Sequence, residues 1–298
     1  MIYELEDRWL HIDVASLFVK TIQEFFDEYI PSRKVQHLLI QNKQILLDGN
    51  PVKREDDIVG MKLDIMIYPE EYDYGKVALK PDVVYEDELF LVVNKPKDVL
   101  VHSDDDEVTL NRIVASYYSD QSFISNNPLH RLDRATSGLV VYSKSVVFQP
   151  LLDKLMAEKQ IRREYLAFAE GKMEPGKVLT INEPIAKDRH NPNKRIVHRN
   201  GQSALTKVRC IACNRAKNYS ILLCTLDTGR THQIRVHLSS IGLPILNDDL
   251  YGHDSDLCIR MGLFAQAVEL YHPLKEENLY VEAELPNDLN KLYQAGLK

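Results

Sequence analysis

The 298-residue chain is long enough for one large domain plus a small one, and 44% hydrophobic residues suffice to bury two cores. No stretch approaches the ~18 to 20 uninterrupted apolar residues of a membrane helix, and residues 1–8 lack the basic start and apolar run of a signal peptide, so a cytoplasmic location without membrane contact is expected. A formal net charge of -7 argues against a uniformly basic protein, and four cysteines fit free thiols in a reducing compartment.

Leu17, Phe18, Ile22, Phe25, Phe26, Tyr29 and Ile30 recur at three-to-four spacing, which predicts an amphipathic helix over residues 14–30, ended by Pro31. Ser32 can cap a second helix through Gln41, with Arg33 and Lys34 in its first turn and Leu38, Leu39 and Ile40 facing inward. Ile45-Leu46-Leu47, Asp48-Gly49 and Val52 read as a hairpin with a primed turn, and residues 63–67 supply a closing strand. Two short helices followed by a hairpin and a strand resemble an S4 domain, a small RNA-binding module. Ser32, Arg33 and Lys34 match the position where that module grips RNA backbone. Two residues depart from its pattern: Lys43 stands for the glycine before the hairpin, and Asp48-Gly49 stands for Asn-Gly. The alternative is a structural cap that binds nothing tightly.

Residues 69–77 are charged and without apolar period, which suits a linker. Beyond it the apolar runs turn short and β-branched, at residues 83–85, 89–93, 138–142, 166–169 and 221–226, with helical stretches at 110–117 and 147–158. The expected class is α+β, with a mixed, largely antiparallel sheet. The expected division is a small S4-like domain over 1–70, a linker over 71–80 and a catalytic domain over 81–298.

His130-Arg131-Leu132-Asp133-Arg134-Ala135-Thr136-Ser137-Gly138 sets an acid among cations and then runs into an apolar strand. Positive neighbours favour the ionised carboxylate, and an ionised aspartate suits nucleophilic or general-base work. In an arbitrary R-x-D triplet the commoner reading is an aspartate that organises a turn. Three more blocks follow one order along the chain: Val93-Asn94-Lys95-Pro96, Arg163-Glu164-Tyr165-Leu166-Ala167, and Thr228-Gly229-Arg230-Thr231-His232-Gln233-Ile234-Arg235-Val236-His237. Together the four blocks resemble the RluA-type pseudouridine synthases, which isomerise uridine to pseudouridine in RNA.

That resemblance implies an isomerase that needs no cofactor, with Asp133 as the catalytic residue, Tyr165 stacked on a flipped base and available to take the C5 proton at the end, and Arg230 as the ion-pair partner of Asp133. It leaves open whether Asp133 attacks C1′, attacks C6 of uracil, or abstracts the C2′ proton, the last being mildly favoured. It also implies that His130, Arg131 and Arg134 contact RNA phosphates, while Thr136 and Ser137 fix the loop. On a strand, Gln233 and Arg235 would share a face, so that one or both support the pocket, with Gln233 expected among the residues that contact substrate RNA. Nothing in the motifs requires more than a monomer. The expected partner is RNA, ribosomal RNA of the large subunit being favoured over transfer RNA. Departures from the family pattern fall at Asp98, Asn247 and Phe264.

Residues 186–218 hold nine lysines and arginines against the single acid Asp188, a stripe able to neutralise phosphates on an otherwise acidic protein. The acidic run 104–107 then reads as an edge facing solvent or away from RNA. Cys210 and Cys213 form a C-x-x-C without a second close pair, and their odd separation would place them on opposite strand faces. His232 and His237 are also odd in separation, so no metal site is expected. Two competing classes are a non-catalytic RNA-binding ribosome-assembly factor and a metal-dependent nuclease built from the histidines.

Overall fold

Thr21-Ile22-Gln23-Glu24 is a capping-box sequence, and it starts the first long helix later than the apolar spacing predicts. In the computed structural model, which describes residues 1–57, 60–105 and 107–298, α1 spans Ile22–Tyr29. Thr21 accepts from the Glu24 amide, and Glu24 reaches back to accept from Lys20 N at 2.6 Å. The helix predicted over 14–30 is therefore shortened. Residues Val14–Ser16 make one 3-10 turn, and Phe18 lies outside any helix, fully exposed.

Ahead of α1 stands a hairpin that no predicted element covers, β1 (Ile2–Glu6) and β2 (Trp9–Asp13). α2 (Arg33–Gln41) begins after Ser32 as expected, although the Ser32 side chain makes no cap hydrogen bond. Leu39 packs inward, but Leu38 points out; the buried neighbour is instead Gln36, whose Nε2 donates to Ile30 O at 2.9 Å. β3 (Ile45–Leu47), β4 (Asn50–Pro51) and β5 (Lys62–Met66) complete a five-stranded sheet of order β1-β2-β5-β3-β4. Asp48 and Gly49 take φ of 48° and 78°, the primed turn that Asp-Gly predicts. Residues 69–82 carry no regular structure yet are held in place: Tyr72 N donates to Ser122 O and Tyr74 Oη to Ile124 O, both at 2.8 Å.

The second half begins with β6 (Val83–Glu86), β7 (Phe90–Lys95), α3 (Leu110–Tyr117), β8 (Asn127–Pro128), β9 (Ser137–Ser143) and α4 (Gln149–Ala157). There follow β10 (Ile161–Glu170), β11 (Val178–Ile181), β12 (Ile185–Lys187), β13 (Arg195–Val197), β14 (Thr206–Asn214) and β15 (Tyr219–Leu226). α5 (Gln233–Ser240), β16 (Leu263–His272), β17 (Glu277–Glu282) and α6 (Asn287–Gly296) close the chain. The main sheet runs β11-β14-β15-β10-β16-β9-β7-β6, with β17 beside β16 and β8 beside β9. Its pairings are antiparallel except β16 with β9, so the expected mixed, largely antiparallel sheet is found. Central strands buried on both faces, β9 above all, explain why their sequences are continuous apolar runs.

The parallel pair positions the site. Ala265 of β16 faces Gly138 of β9 on one side and Tyr165 of β10 on the other, so three strands align the loop after Asp133 with Tyr165. Gly138 is the residue that allows this approach: its φ is 115°, and a Cβ there would lie 2.2 Å from Ala265 O. Gly138→Ala is expected to lower folding stability by about 3 kcal/mol or more, read as a shift in the urea midpoint. An unchanged midpoint would show that the strands can separate without loss.

A bulge in β14 between Cys210 and Ala212 breaks the two-residue alternation on which the opposite-face argument for Cys210 and Cys213 rests. All four cysteines are free thiols.

Candidate active site

A cavity of about 1110 Å³ opens where the loop before β9, the start of β10 and the N-terminal turn of α5 meet. Asp133, Tyr165, Arg230 and Arg235 all line it, so the ordered blocks converge in space. Asp133 is partly exposed on its wall, and Oδ2 lies 3.4 Å from Arg235 Nη1. Among the described residues no side chain or amide donates to Oδ1.

The arginine that meets Asp133 is not the expected one. Arg230 is exposed, and its Nε donates to Ser203 O at 3.1 Å. The reason is secondary structure: the block over 228–237 was expected to continue as a strand, but Gln233–Ser240 is helix α5. Residues Gln233 to Leu238 are all buried, so the helix has no polar face to reveal its period, and Ile234 and Val236 imitate a strand. On a helix Gln233 and Arg235 diverge by about 200°, and they do different work. Gln233 Oε1 accepts from Thr228 Oγ1 and Arg230 N while its Nε2 donates to Leu205 O and Thr206 Oγ1. It is a bracket for the 228–230 loop, not an RNA contact.

Arg235 is nearly sealed. Its Nε and Nη2 form a two-pronged bond to Asp248, at 2.8 and 2.7 Å, and Nη2 also meets Asp249 at 2.9 Å. Burial by itself would lower its pKa, but the hydrogen bonds and charge of Asp248, joined by Asp133 and Asp249, raise it above the ordinary arginine value. Asp248 in turn accepts the amides of Leu250 and Tyr251, each at 3.1 Å. Asp248 thus fixes the cation that faces Asp133, a role that sequence spacing gave no means of assigning. Asn247, which replaces a family glycine, takes φ 54° as its residue type allows, and Asp98 does the same at φ 66°.

Lys95 is a second residue that spacing left without a structural role. Fully buried, its Nζ donates to Pro96 O, Val99 O and Arg134 O at 2.9, 2.7 and 3.1 Å, tying the first block to the Asp133 loop. Burial pulls its pKa down to about 8, with Asp133 and Asp98 opposing the fall. Lys95→Met is expected to lower stability at pH 7 by about 2–4 kcal/mol, because three carbonyls lose their donor. The folded-state pKa is depressed, so between about 8 and the ordinary 10.5 the unfolded chain binds the proton more tightly. Wild-type stability should therefore rise with pH across that window relative to Lys95→Met, and urea titrations at pH 7.5 and 10 check it. Parallel pH profiles would refute the assignment.

Tyr165 is buried at the register shift between β10 and β16. Burial raises its pKa, with Asp133 adding to the rise and Arg163 opposing it, so the phenol is neutral near pH 7. His130, expected on a phosphate, is buried. Its Nε2 accepts from Val141 N at 3.3 Å, and burial first, then Arg163, lowers its pKa well below the usual histidine value. A neutral, enclosed imidazole makes no phosphate contact. Arg134 is exposed but held by Glu107 at 2.9 and 3.0 Å, so Glu107 of the acidic run turns onto the motif. Arg131 is exposed, 3.1 Å from His102 Nε2. Arg33 and Lys34 are exposed at the start of α2, beside Ser32.

The histidines do not act as a strand pair. His232, at φ 59°, lies 3.9 Å from Asp133 Oδ2 and 3.0 Å from Tyr251 Oη. His237 is enclosed between Thr206 Oγ1 and Glu183 O. A group with metal-ligand proximity lies elsewhere, at Asp87, Glu88 and His272. There Lys275 N donates to His272 Nδ1, which leaves the ring proton on Nε2, and Lys275 Nζ sits 2.8 Å from Asp87 Oδ2. An ammonium and a donor N–H occupy the places a cation would need.

The basic stripe divides. Arg215 at the far turn pairs with Glu174, and Lys207 with Asp227. Lys187 and Arg195, on the β12–β13 hairpin, line a second groove of about 400 Å³ together with Arg230 and Thr231, so this groove borders the main cavity.

Residues 89–240 match the family model described as RNA pseudouridylate synthase. The chain is 35% identical over 298 residues to the Bacillus subtilis (strain 168) protein named uncharacterized RNA pseudouridine synthase YhcT, covering 98% of this chain and 95% of that protein. It is 32% identical over 297 residues to ribosomal large subunit pseudouridine synthase D of Yersinia pestis, covering 93% and 89%. Among solved structures, human RNA pseudouridylate synthase domain containing 1 superposes with a TM-score of 0.58 over 74% of this chain and 96% of that one, at 23% identity.

Proposed function

Since the chain belongs to the RNA pseudouridylate synthase family, we propose that it acts on uridine in large-subunit ribosomal RNA, with Asp133 as the catalytic carboxylate. As an RNA pseudouridine synthase it is an isomerase: the bond from ribose C1′ to uracil N1 breaks, C1′ rejoins at C5, the C5 proton leaves and N1 gains one. The observation that carries the assignment is Asp133 on the cavity wall, one oxygen against Arg235 and the other without a donor among the described residues. In the route we favour, the free oxygen takes the C2′ proton as the C1′–N1 electron pair leaves with uracil. The base turns in the cavity, C5 bonds to C1′, and Asp133 returns its proton to C2′.

Arg235 takes the ion-pair role first expected of Arg230, because a guanidinium fixed by Asp248 and Asp249 keeps its position when RNA displaces water. A neutral Tyr165 is suited to stacking on the extruded base rather than to standing as a base. Arg131 and Arg230, exposed at the cavity rim, and the hairpin residues Lys187 and Arg195 are assigned to RNA backbone. Residues 1–70 are assigned as the S4-like docking domain, with Ser32, Arg33 and Lys34 toward RNA, joined by 71–80 to the catalytic domain over 81–298.

The names of the curated relatives favour ribosomal over transfer RNA. Mapping pseudouridines in both RNA pools with and without the gene tests this. Loss of a site in the large-subunit RNA is expected; loss confined to transfer RNA would overturn the substrate, and loss nowhere would overturn the assignment.

A further inference from the structure

Arg163 is a cation in the cavity wall for which the chemistry above has no use. It lies two residues before Tyr165 on β10, half-buried and lining the same cavity as Asp133. Among the described residues it makes no ion pair, and its buried Nε has no hydrogen-bond acceptor. An unpaired buried donor is destabilising, so a guanidinium left in this state is a feature to be explained.

We propose that Arg163 seats a backbone phosphate of the substrate RNA beside the reacting uridine. The inference rests on reading the Asp133 cavity as the site of reaction. Neighbouring cations are already engaged: Arg235 by three carboxylates, Arg134 by Glu107, and Lys95 by three carbonyls. His130 is neutral, so it supplies no competing charge. Among the described residues Arg131 and Arg230 also have no carboxylate partner, but both lie exposed at the rim, where they reach backbone outside the cavity.

The cover over Arg163 supports the same conclusion. Its Nη2 and Nη1 approach Gly229, where a Cβ would stand 3.5 and 3.7 Å away. Gly229 is exposed and has no Cβ, so this residue places no side chain over the end of the guanidinium. An extruded nucleotide brings phosphates to this mouth, and a planar guanidinium matches phosphate oxygens with two parallel donors. The competing role is to hold the Tyr165 hydroxyl, with which Arg163 shares a side-chain hydrogen bond. The two roles separate kinetically, since a phosphate contact is made in the bound complex as well as in the transition state.

The test uses the full chain and an unmodified transcript of large-subunit ribosomal RNA from the same organism. Wild type must form pseudouridine in it; if it does not, the substrate reading fails before Arg163 is tested. For Arg163→Met, KM is expected to rise about tenfold with kcat changed by less than about twofold. The slope of log affinity against log salt should fall by about 0.7, the value for one phosphate on a single strand. Arg163→Lys should recover part of the affinity, and Gly229→Ala, which keeps the charge but adds a methyl over it, should raise KM about threefold. If Arg163→Met does not fold, these two variants carry the test. A fall in kcat with KM and salt slope unchanged would overturn the proposal and assign Arg163 to positioning Tyr165.

Discussion

Asp133→Asn is expected to slow pseudouridine formation by about 10⁴-fold or more while leaving RNA affinity within a few-fold of wild type. The amide keeps the size and shape of the side chain but cannot take a proton or attack carbon at neutral pH. The rest of the site should stand, because Arg235 remains fixed by Asp248 and Asp249. Asp133 is also partly exposed, so its charge is not a large element of stability. Tritium release from 5-tritiated uridine in the target RNA measures the rate, and a filter-binding titration measures the affinity. Asp133→Asn turning over at the wild-type rate would remove Asp133 from the mechanism.

The second large effect is expected at Arg235. Arg235→Met should destabilise the protein by about 3–5 kcal/mol and abolish activity, because removing the guanidinium leaves the fully buried Asp248 carboxylate without its cation. Met fills similar space, so the loss reports charge rather than a cavity. Adding Asp248→Asn should restore a substantial part of the stability, since the amide oxygen can still accept from Leu250 N and Tyr251 N. It should restore no activity, because Asp133 still lacks a partner. Arg230→Met, by contrast, breaks one exposed hydrogen bond to Ser203 O and should change stability by less than about 1 kcal/mol. Equal losses of stability for Arg230→Met and Arg235→Met would refute the pairing seen in the structure.

Much of the fold is legible because local signals agree with it. Asp48-Gly49 demands a primed turn and makes one. The helix over Leu110–Tyr117 is amphipathic, and Thr109 caps it by accepting from Arg112 N. Errors arise where burial removes the pattern or where a cap outweighs it. Leu17 and Phe18 continue the apolar spacing of α1, but the Thr21 capping box starts the helix after them. α5 is buried from Gln233 to Leu238, so its periodicity is invisible. The first hairpin, β1–β2, lies in a polar segment with three acidic residues in its first seven, and its alternation is too weak to stand out.

The candidate site divides in the same manner. A dense motif pointed to Asp133, the acid we propose as catalytic, and the order of four blocks identified the family, because chemistry of this kind requires particular residue types close together in the chain. Which arginine faces Asp133 was a different question. The contact joins residues 102 positions apart, and it depends on whether residues 233–240 coil or extend. The clamp on Arg235 comes from Asp248 and Asp249, which only the return of the chain toward β16 brings near.

The sequence by itself determined the reaction class and singled out the acid we propose as catalytic, since both are written in short ordered motifs. Tertiary structure alone decided the partners: Arg235 rather than Arg230, Lys95 as the tie beneath the loop, His130 as a buried neutral ring, and Arg163 as a cation without an ion pair among the described residues. The reason is physical. Charge pairing and desolvation are set by distances in space, and those distances follow from strand register and helix phase, which spacing along a chain does not encode.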